Sequence, residues 1–136
     1  MHTTIKNLDQ INKEINQIIK EQNYKNYLPQ VIAVSKTFKH DNIMPLVNYG
    51  QLHFGENKVQ EATEKWTPIK EKNNKINLHM IGKLQTNKVK QAIKIFDYIH
   101  SVDSIRLAQK IYGEQLNLKK EVKIFIQVNI GKEDQK

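Results

Sequence analysis

Apolar residues recur with a helical period at the start of the chain and in alternating strand-like and helix-like segments after it. Residues 3–22 carry an apolar stripe that predicts an amphipathic N-terminal packing helix. The stripe consists of Ile5, Leu8, Ile11, Ile15, Ile18 and Ile19. After a polar break, the pattern predicts five strands, at 30–35, 51–54, 76–81, 98–102 and 122–130.

The segments between these strands carry helix start and stop signals. Asp41 is predicted to cap a helix that ends at Gly50, and Asp103 is predicted to cap the last helix. Pro68 is expected to end or kink the helix before it near Thr67, because the residue before a proline avoids the helical region. Strands that alternate with helices at this spacing predict a parallel sheet.

Two parallel architectures fit this pattern, an open doubly wound sheet and a (β/α)8 barrel. A nucleotide-binding open sheet usually has a glycine-rich first turn, whereas the first strand here leads into Ser-Lys-Thr-Phe-Lys at 35–39. A full barrel takes about 200 residues or more. The 136 residues therefore predict one partial TIM-barrel domain over 1–136, with a packing helix at 1–22 and β/α units at 30–130.

Composition narrows the class of protein without defining a function. The net charge is +8, but the lysines are spread along the chain and no aromatic-rich nucleic-acid motif accompanies them, so specific nucleic-acid binding is not predicted. No apolar run approaches the roughly 20 residues of a membrane span, and the N-terminus is polar. Cysteine is absent from the sequence. We therefore expect a cytoplasmic protein without a membrane partner.

A single lysine, Lys36, follows the first predicted strand. Side chains alternate along a strand, so Lys36 shares a face with Val34 and Ile32, and this face is expected to be apolar. Lysine amines are mostly protonated at pH 7, and a lysine that reacts with a carbonyl needs an apolar surrounding or nearby cations. By itself this position is more typical of a solvated strand end than of a reactive amine.

Six short motifs in order carry a family resemblance that extends from residue 33 to residue 130. They are AVSKT at 33–37, YGQ at 49–51, FGEN at 54–57 with VQE at 59–61, HMIG at 79–82 with LQTNK at 84–88, HSVDS at 100–104, and IQVNI at 126–130. Together they resemble the YggS/PROSC family of pyridoxal-phosphate homeostasis proteins. That family is similar to the barrel domain of alanine racemase without its second domain.

The resemblance implies a cofactor and a site. Family members bind pyridoxal 5'-phosphate (PLP) as an aldimine on the lysine that matches Lys36, have no established turnover, and help to balance free cofactor. We therefore expect a PLP-binding, non-catalytic homeostasis protein with no catalytic residue and no metal. Asn57 follows the second strand and is a candidate cofactor contact, or else a helix cap. His79 and Ile81 share a face of the third strand and are further candidates, with a buried, hydrogen-bonded His79 as the alternative.

Length is the largest departure from the family. Members continue through three more strands, which carry the groups that hold the cofactor phosphate, so Lys36 alone is expected to bind PLP weakly. An unclosed barrel also leaves two sheet edges unpaired. We expect the N-terminal part of a truncated or split reading frame that pairs with a complementary chain or with itself, or else an inactive fragment.

Two other functions remain as alternatives. His40, His53, His79 and His100 lie near the ends of successive strands, where a metal-dependent hydrolase barrel would place its ligands, but closely paired histidines are absent from the sequence. An amino-acid racemase needs two acid/base groups, and no second group beside Lys36 is evident. Glu56 and Glu61 lack a partner acid at a defined spacing and are interpreted as solvated or helix-stabilising charges.

Overall fold

The computed structural model describes residues 1–134, which form a five-stranded parallel sheet with helices between the strands. The helices are α1 (Thr3–Glu21), α2 (His40–Tyr49), α3 (Val59–Lys72), α4 (Val89–Ile95) and α5 (Ile105–Leu118). The strands are β1 (Ala33–Val34), β2 (His53–Glu56), β3 (Asn77–Met80), β4 (Tyr98–Val102) and β5 (Lys123–Ile126). A short 3-10 helix, Thr86–Lys88, precedes α4.

The spatial order of the strands follows the chain, β1-β2-β3-β4-β5, and every neighbouring pair is parallel. An open doubly wound sheet reverses its strand order at a switch point, whereas a barrel adds each strand beside the last. The order therefore confirms the predicted partial barrel and excludes the doubly wound alternative.

The hydrophobic core lies between the helices and one face of the sheet. Phe54, Leu78, Met80 and Ile99 occupy alternate positions of β2, β3 and β4 and are fully or almost fully buried. Trp66 of α3 packs on Phe54, with ring centroids 4.6 Å apart. The period of two along these strands explains why a single face receives all of these apolar side chains.

The opposite face, which we call the inner face, carries Val34, His53, His79, Tyr98 and Phe125. The register aligns Val34 with Gly55, Gly55 with His79, and His79 with Tyr98, so these residues form one row across four strands. Val34 and Phe125 are each about half exposed, at 50% and 52%. Within residues 1–134, this face is therefore partly open at both of its ends.

The predicted strands exist, but some of their bounds were wrong. The first strand is two residues long instead of six, because the side-chain amide of Gln51 bonds the Val31 carbonyl at 2.8 Å, where a longer ladder would place a backbone donor. The backbone N–H of Gln51 bonds Leu46 instead of a neighbouring strand, so β2 starts at His53. The fifth strand ends at Ile126, four residues before the predicted end.

The predicted end of the helix near Thr67 was wrong, as were two predicted helix caps. Helix α3 continues through Pro68 to Lys72, because the buried Trp66 and Ile69 hold both sides of the proline against the core. Pro68 is exposed, so water can satisfy the carbonyl group that loses its partner. At the start of α5 the N-cap is Ser104, whose hydroxyl accepts a hydrogen bond from the Leu107 N–H, rather than Asp103.

The helix after β1 has its predicted end but not its predicted start. Lys39 occupies the N-cap of α2 and Asp41 lies in the first turn, so Asp41 is not the cap. Gly50 ends the helix in the left-handed conformation, at φ = +105°, as its position predicts.

Helix α1 has its predicted length, but its apolar stripe is only partly covered. Leu8 is buried, whereas Ile11 and Ile18 are exposed. The hydroxyl of Tyr49 in α2 donates to the Asp9 carboxylate at 2.8 Å, which joins the two helices. Over residues 1–134, each helix is too short or too polar to cross a membrane.

Candidate functional site

Lys36 lies at the carboxyl edge of the sheet, two residues beyond the end of β1. Lys36 belongs to a turn that is closed by a hydrogen bond from the Phe38 N–H to the Ser35 carbonyl at 3.1 Å. The strand itself ends with Val34 on the inner face, so the inner-face position of Lys36 stays a prediction. This part of the protein is more exposed to solvent than predicted, because β1 is an edge strand and both Val34 and Lys36 are exposed.

The register brings the predicted site residues together. Val34, Gly55 and His79 form one row of the sheet. Lys36, Asn57 and Ile81 each lie two residues further along the chain, just past the ends of β1, β2 and β3, and we call these three residues the edge row. A backbone hydrogen bond from Ile81 N to Glu56 O, at 2.9 Å, joins the ends of β2 and β3. Three of the four candidate site residues therefore follow neighbouring strand ends at the carboxyl edge, and His79 lies within β3.

Asn57 occupies a closely packed position in the edge row. Its side-chain oxygen Oδ1 is buried and, within the part of the chain that the structure describes, has no hydrogen-bond partner. The N-cap of α3 is Lys58, so Asn57 does not cap that helix, and the capping alternative was wrong. Gly82 packs on the Asn57 backbone so tightly that a methyl group at Gly82 would lie 2.5 Å from the Asn57 carbonyl oxygen.

Ile81 lies on the inner face beside the strand that leads to Lys36. A side-chain carbon at Gly55 would lie 3.1 Å from Cδ1 of Ile81 and 3.3 Å from Cγ2 of Ile32. Ile81 and Ile32 therefore approach each other over Gly55, and they make an apolar floor below the edge that carries Lys36.

Glu56 differs from its prediction, because it was expected to be a solvated or helix-stabilising charge and is fully buried at 0% exposure. Its Oε1 accepts hydrogen bonds from Ser35 Oγ at 2.7 Å, from Lys65 Nζ at 2.9 Å and from Trp66 Nε1 at 2.8 Å. Lys65 also contacts Glu61 at 3.3 Å. We call Glu56, Lys65 and Glu61 the ion triad.

Glu61 is likewise a structural partner rather than a solvated charge. Its Oε1 accepts a hydrogen bond from the backbone N–H of Thr37 at 3.0 Å. Burial tends to raise the pKa of the Glu61 carboxyl, but the Thr37 hydrogen bond and the Lys65 charge outweigh it, so this pKa lies below its ordinary value. Glu61 is therefore ionised at neutral pH.

Three histidines form a hydrogen-bonded row across the inner face. His79 is bonded through its Nε2 to Nδ1 of His53, and through its Nδ1 to Nε2 of His100, each at 2.8 Å. The His79 ring stacks on Tyr98 at a centroid distance of 4.2 Å. Both ring nitrogens of His79 are thus engaged, which matches the buried, hydrogen-bonded alternative for this residue.

The ring nitrogens of these histidines do not point at one common position where a metal ion could bind. His79 lies between its two partners, and His40 lies apart from them in the first turn of α2. In residues 1–134, no three His, Cys, Asp or Glu side chains are arranged to hold a metal ion. The four histidines therefore do not form the ligand set that the hydrolase alternative requires.

Burial and neighbouring imidazoles make His79 hard to protonate. Burial is the larger cause, and the His100 and His53 rings add to it, so that the pKa of His79 falls from 6.5 to about 4 despite the opposing Asp97 charge. Burial also lowers the pKa values of His53 and His100. All three rings are therefore neutral at pH 7.

Acidification is expected to destabilise the chain between pH 6.5 and about pH 4. In this range the unfolded chain binds a proton at His79 that the folded chain does not, so the free energy of unfolding falls by up to about 1.4 kcal/mol per pH unit. Denaturant unfolding at pH 7 and pH 5 measures this slope. His79→Gln should reduce the slope and the exposed-site control His40→Gln should not, whereas equal slopes in both variants would contradict the assignment.

Fold and site together define a class of protein, namely (β/α)-barrel chains with a lysine at the carboxyl end of the first barrel strand. Protein-family models give no match. The pyridoxal phosphate homeostasis protein of Pasteurella multocida (strain Pm70) is 34% identical over 134 residues, which are 98% of this chain and 58% of that protein. Over most of its length the chain is similar to proteins named pyridoxal phosphate homeostasis protein, which confirms the resemblance seen in the six motifs.

Solved structures agree with this assignment. PipY of Synechococcus elongatus PCC7942, solved with PLP bound, is 36% identical and superposes with a TM-score of 0.70 over 85% of this chain and 54% of PipY. An unknown protein of Bifidobacterium adolescentis gives a TM-score of 0.82 at 27% identity, over 94% of this chain and 55% of its own. The chain thus spans about half the length of the relatives that it matches.

Proposed function

We propose that this chain binds PLP through a Schiff base on Lys36 and acts in PLP homeostasis without a catalytic turnover of its own. The observation that carries the proposal is that Lys36, Asn57 and Ile81 follow the ends of three neighbouring strands at the carboxyl edge of a parallel sheet, the edge at which barrels bind ligands. The PLP-bound state of PipY, at 36% identity, supports it.

The residues present include the amine that such a site needs for covalent binding of an aldehyde. The deprotonated Lys36 amine would attack an aldehyde carbon, a C=N bond would form, and one water molecule would leave. Asn57 has an unpartnered Oδ1 in the edge row and would hydrogen-bond the ligand. Both ring nitrogens of His79 already bond other histidines, so His79 would not hydrogen-bond the ligand. It would contribute through its packing on the inner face.

Lys36→Ala is expected to abolish saturable binding of PLP. An absorption titration of the purified chain should show a Schiff-base band that saturates in the wild type and is missing in the variant, because an alanine has no amine. Lys90→Ala is a matched control, since Lys90 is an exposed lysine on α4. Equal bands in wild type and Lys36→Ala would mean that PLP reacts only nonspecifically, and that the chain is an inactive fragment.

Racemase activity is the enzymatic alternative to this proposal. The inner face carries three histidines as acid/base groups, but each of them is hydrogen-bonded to another histidine. A racemisation assay with several amino acids is therefore expected to give no turnover above the Lys36→Ala background. Turnover that is lost in Lys36→Ala would establish an enzyme instead.

We also propose that the open face and edges of the sheet are covered by a complementary chain or by a second copy. At the end of the edge strand β5 and beyond it, apolar side chains are strongly exposed, with Ile126 at 77% and Ile130 at 90%. An edge strand with exposed apolar residues readily pairs with another chain.

The purified chain is expected to associate in solution, and Ile126→Lys should weaken that association. A lysine on an edge strand opposes pairing because its charge would have to be buried. Light scattering after size-exclusion chromatography measures the mass of both proteins, with Ile105→Lys as a control at an exposed isoleucine on α5. A monomeric wild type that melts cooperatively would contradict the proposal.

A further inference from the structure

Two backbone groups next to Lys36 are bound by the ion triad. On one side, the Ser35 carbonyl accepts a hydrogen bond from Lys65 Nζ at 2.9 Å. On the other side, the Thr37 N–H donates to Glu61 Oε1 at 3.0 Å. The backbone that carries Lys36 is therefore held from both directions by charged side chains of a single helix, α3.

Two members of the ion triad, Glu56 and Lys65, are held in place by burial. Glu56 is fully buried, and the Lys65 side chain is only 9% exposed. Glu56 Oε1 also accepts hydrogen bonds from Ser35 Oγ and from Trp66 Nε1, whereas its buried Oε2 has no partner among the described residues. Charge-assisted hydrogen bonds in a site with little water are strong, and moving either partner would leave a buried charge unpaired.

Thr37 adopts a conformation that needs such support. Its φ is +67°, in the left-handed region that β-branched residues rarely occupy. A conformation of this kind persists only where neighbouring groups stabilise it. Two hydrogen bonds supply that stabilisation, the one from Thr37 to Glu61 and the one from the Phe38 N–H to the Ser35 carbonyl, which closes the turn directly after Lys36 at 3.1 Å.

We propose that Glu56, Lys65 and Glu61 are positioning residues, which hold the backbone on both sides of Lys36 and so fix where its amine projects over the inner face. The consequence for cofactor binding rests on the proposed function. The positioning of the backbone is independent of the proposed function, and it can be measured without any cofactor. No residue of the triad has to touch the ligand for this role.

The test compares Glu61→Ala, Glu61→Gln and Glu64→Ala in the full chain. Glu64 lies on the same helix, is exposed and bonds only the Gln60 side chain in the described structure, so Glu64→Ala removes the same charge away from Lys36. Glutamine at position 61 keeps an oxygen that accepts from Thr37. Amide hydrogen exchange at Thr37 is measured by NMR without cofactor, and Schiff-base formation is measured by titration with PLP.

We expect Glu61→Ala to speed exchange at Thr37 about tenfold and to weaken Schiff-base formation by a similar factor, the effect of one charge-assisted hydrogen bond. Glu61→Gln should recover most of both losses, and Glu64→Ala should behave as wild type. Unchanged exchange in Glu61→Ala would overturn the inference, as would equal Schiff-base formation in Glu61→Ala and Glu64→Ala. A wild type without a Lys36-specific band would overturn the proposed function, and the exchange rates would still decide whether the triad holds this backbone.

Discussion

Lys65→Met is expected to lower the free energy of unfolding by about 3–5 kcal/mol, because it leaves a buried carboxylate without its cation. Glu56 has 0% exposure and contacts Lys65 Nζ at 2.9 Å. Methionine fills a similar volume but cannot donate to Glu56 or to the Ser35 carbonyl. Urea unfolding followed by circular dichroism measures the loss, which is large enough to unfold a chain of ordinary stability.

Two further variants show whether the loss comes from the unpaired charge. Lys72→Met, at an exposed position of the same helix, should change stability by less than about 0.5 kcal/mol. Adding Glu56→Gln to Lys65→Met should restore part of the stability, because a neutral amide needs no counter-charge and still accepts from Ser35 and Trp66. Equal losses in Lys65→Met and Lys72→Met would show that the buried pair contributes no stability.

Gly82→Ala is expected to lower the free energy of unfolding by about 3 kcal/mol, at the upper end for an overpacked site. The new methyl group would lie 2.5 Å from the carbonyl oxygen of Asn57 and 2.8 Å from its Cα. These are backbone atoms, so the strand ends of β2 and β3 must separate to make room. Schiff-base formation should weaken as well, since the shift moves Asn57 relative to Lys36.

Gly113→Ala is the matched control for this prediction. Gly113 lies within α5, and a methyl group there would meet no described atom within 4 Å. Alanine should therefore stabilise the chain by about 0.5–1 kcal/mol through its higher helix propensity. Thermal melting of both variants gives opposite shifts if these packing differences are correct, and a stable Gly82→Ala would contradict the close contact with Asn57.

The fold was predictable because the chain alternates clearly between two periods. The apolar residues of the strands face the helices, and the absence of a glycine-rich first turn favoured the barrel that the strand order confirms. The bounds of β1 and β2 were less predictable. They depend on the side-chain amide of Gln51, which replaces a ladder bond and leaves no mark in the hydrophobic pattern.

At the site, the place of Lys36 at the carboxyl edge was predictable from the strand that precedes it, whereas the role that the family motifs imply for it stays a prediction. The burial of Glu56 was missed because the second strand was predicted to end at residue 54, which placed Glu56 in a loop. The period of two offered a signal, since Glu56 follows Phe54 on the face that packs against the helices. The cation that pairs with Glu56 is Lys65, nine residues later in the middle of α3, so only the folded structure shows the pair.

Strands that pair in the order in which they occur along the chain also bear on how the protein is made. Each of the strands β2 to β5 adds to the strand before it, with one helix between them. A β/α unit can therefore dock on its predecessor soon after leaving the ribosome, without waiting for a distant segment. The newest strand is always the growing edge of the sheet, so until the next unit arrives it is the part of the nascent chain that most needs protection from other chains.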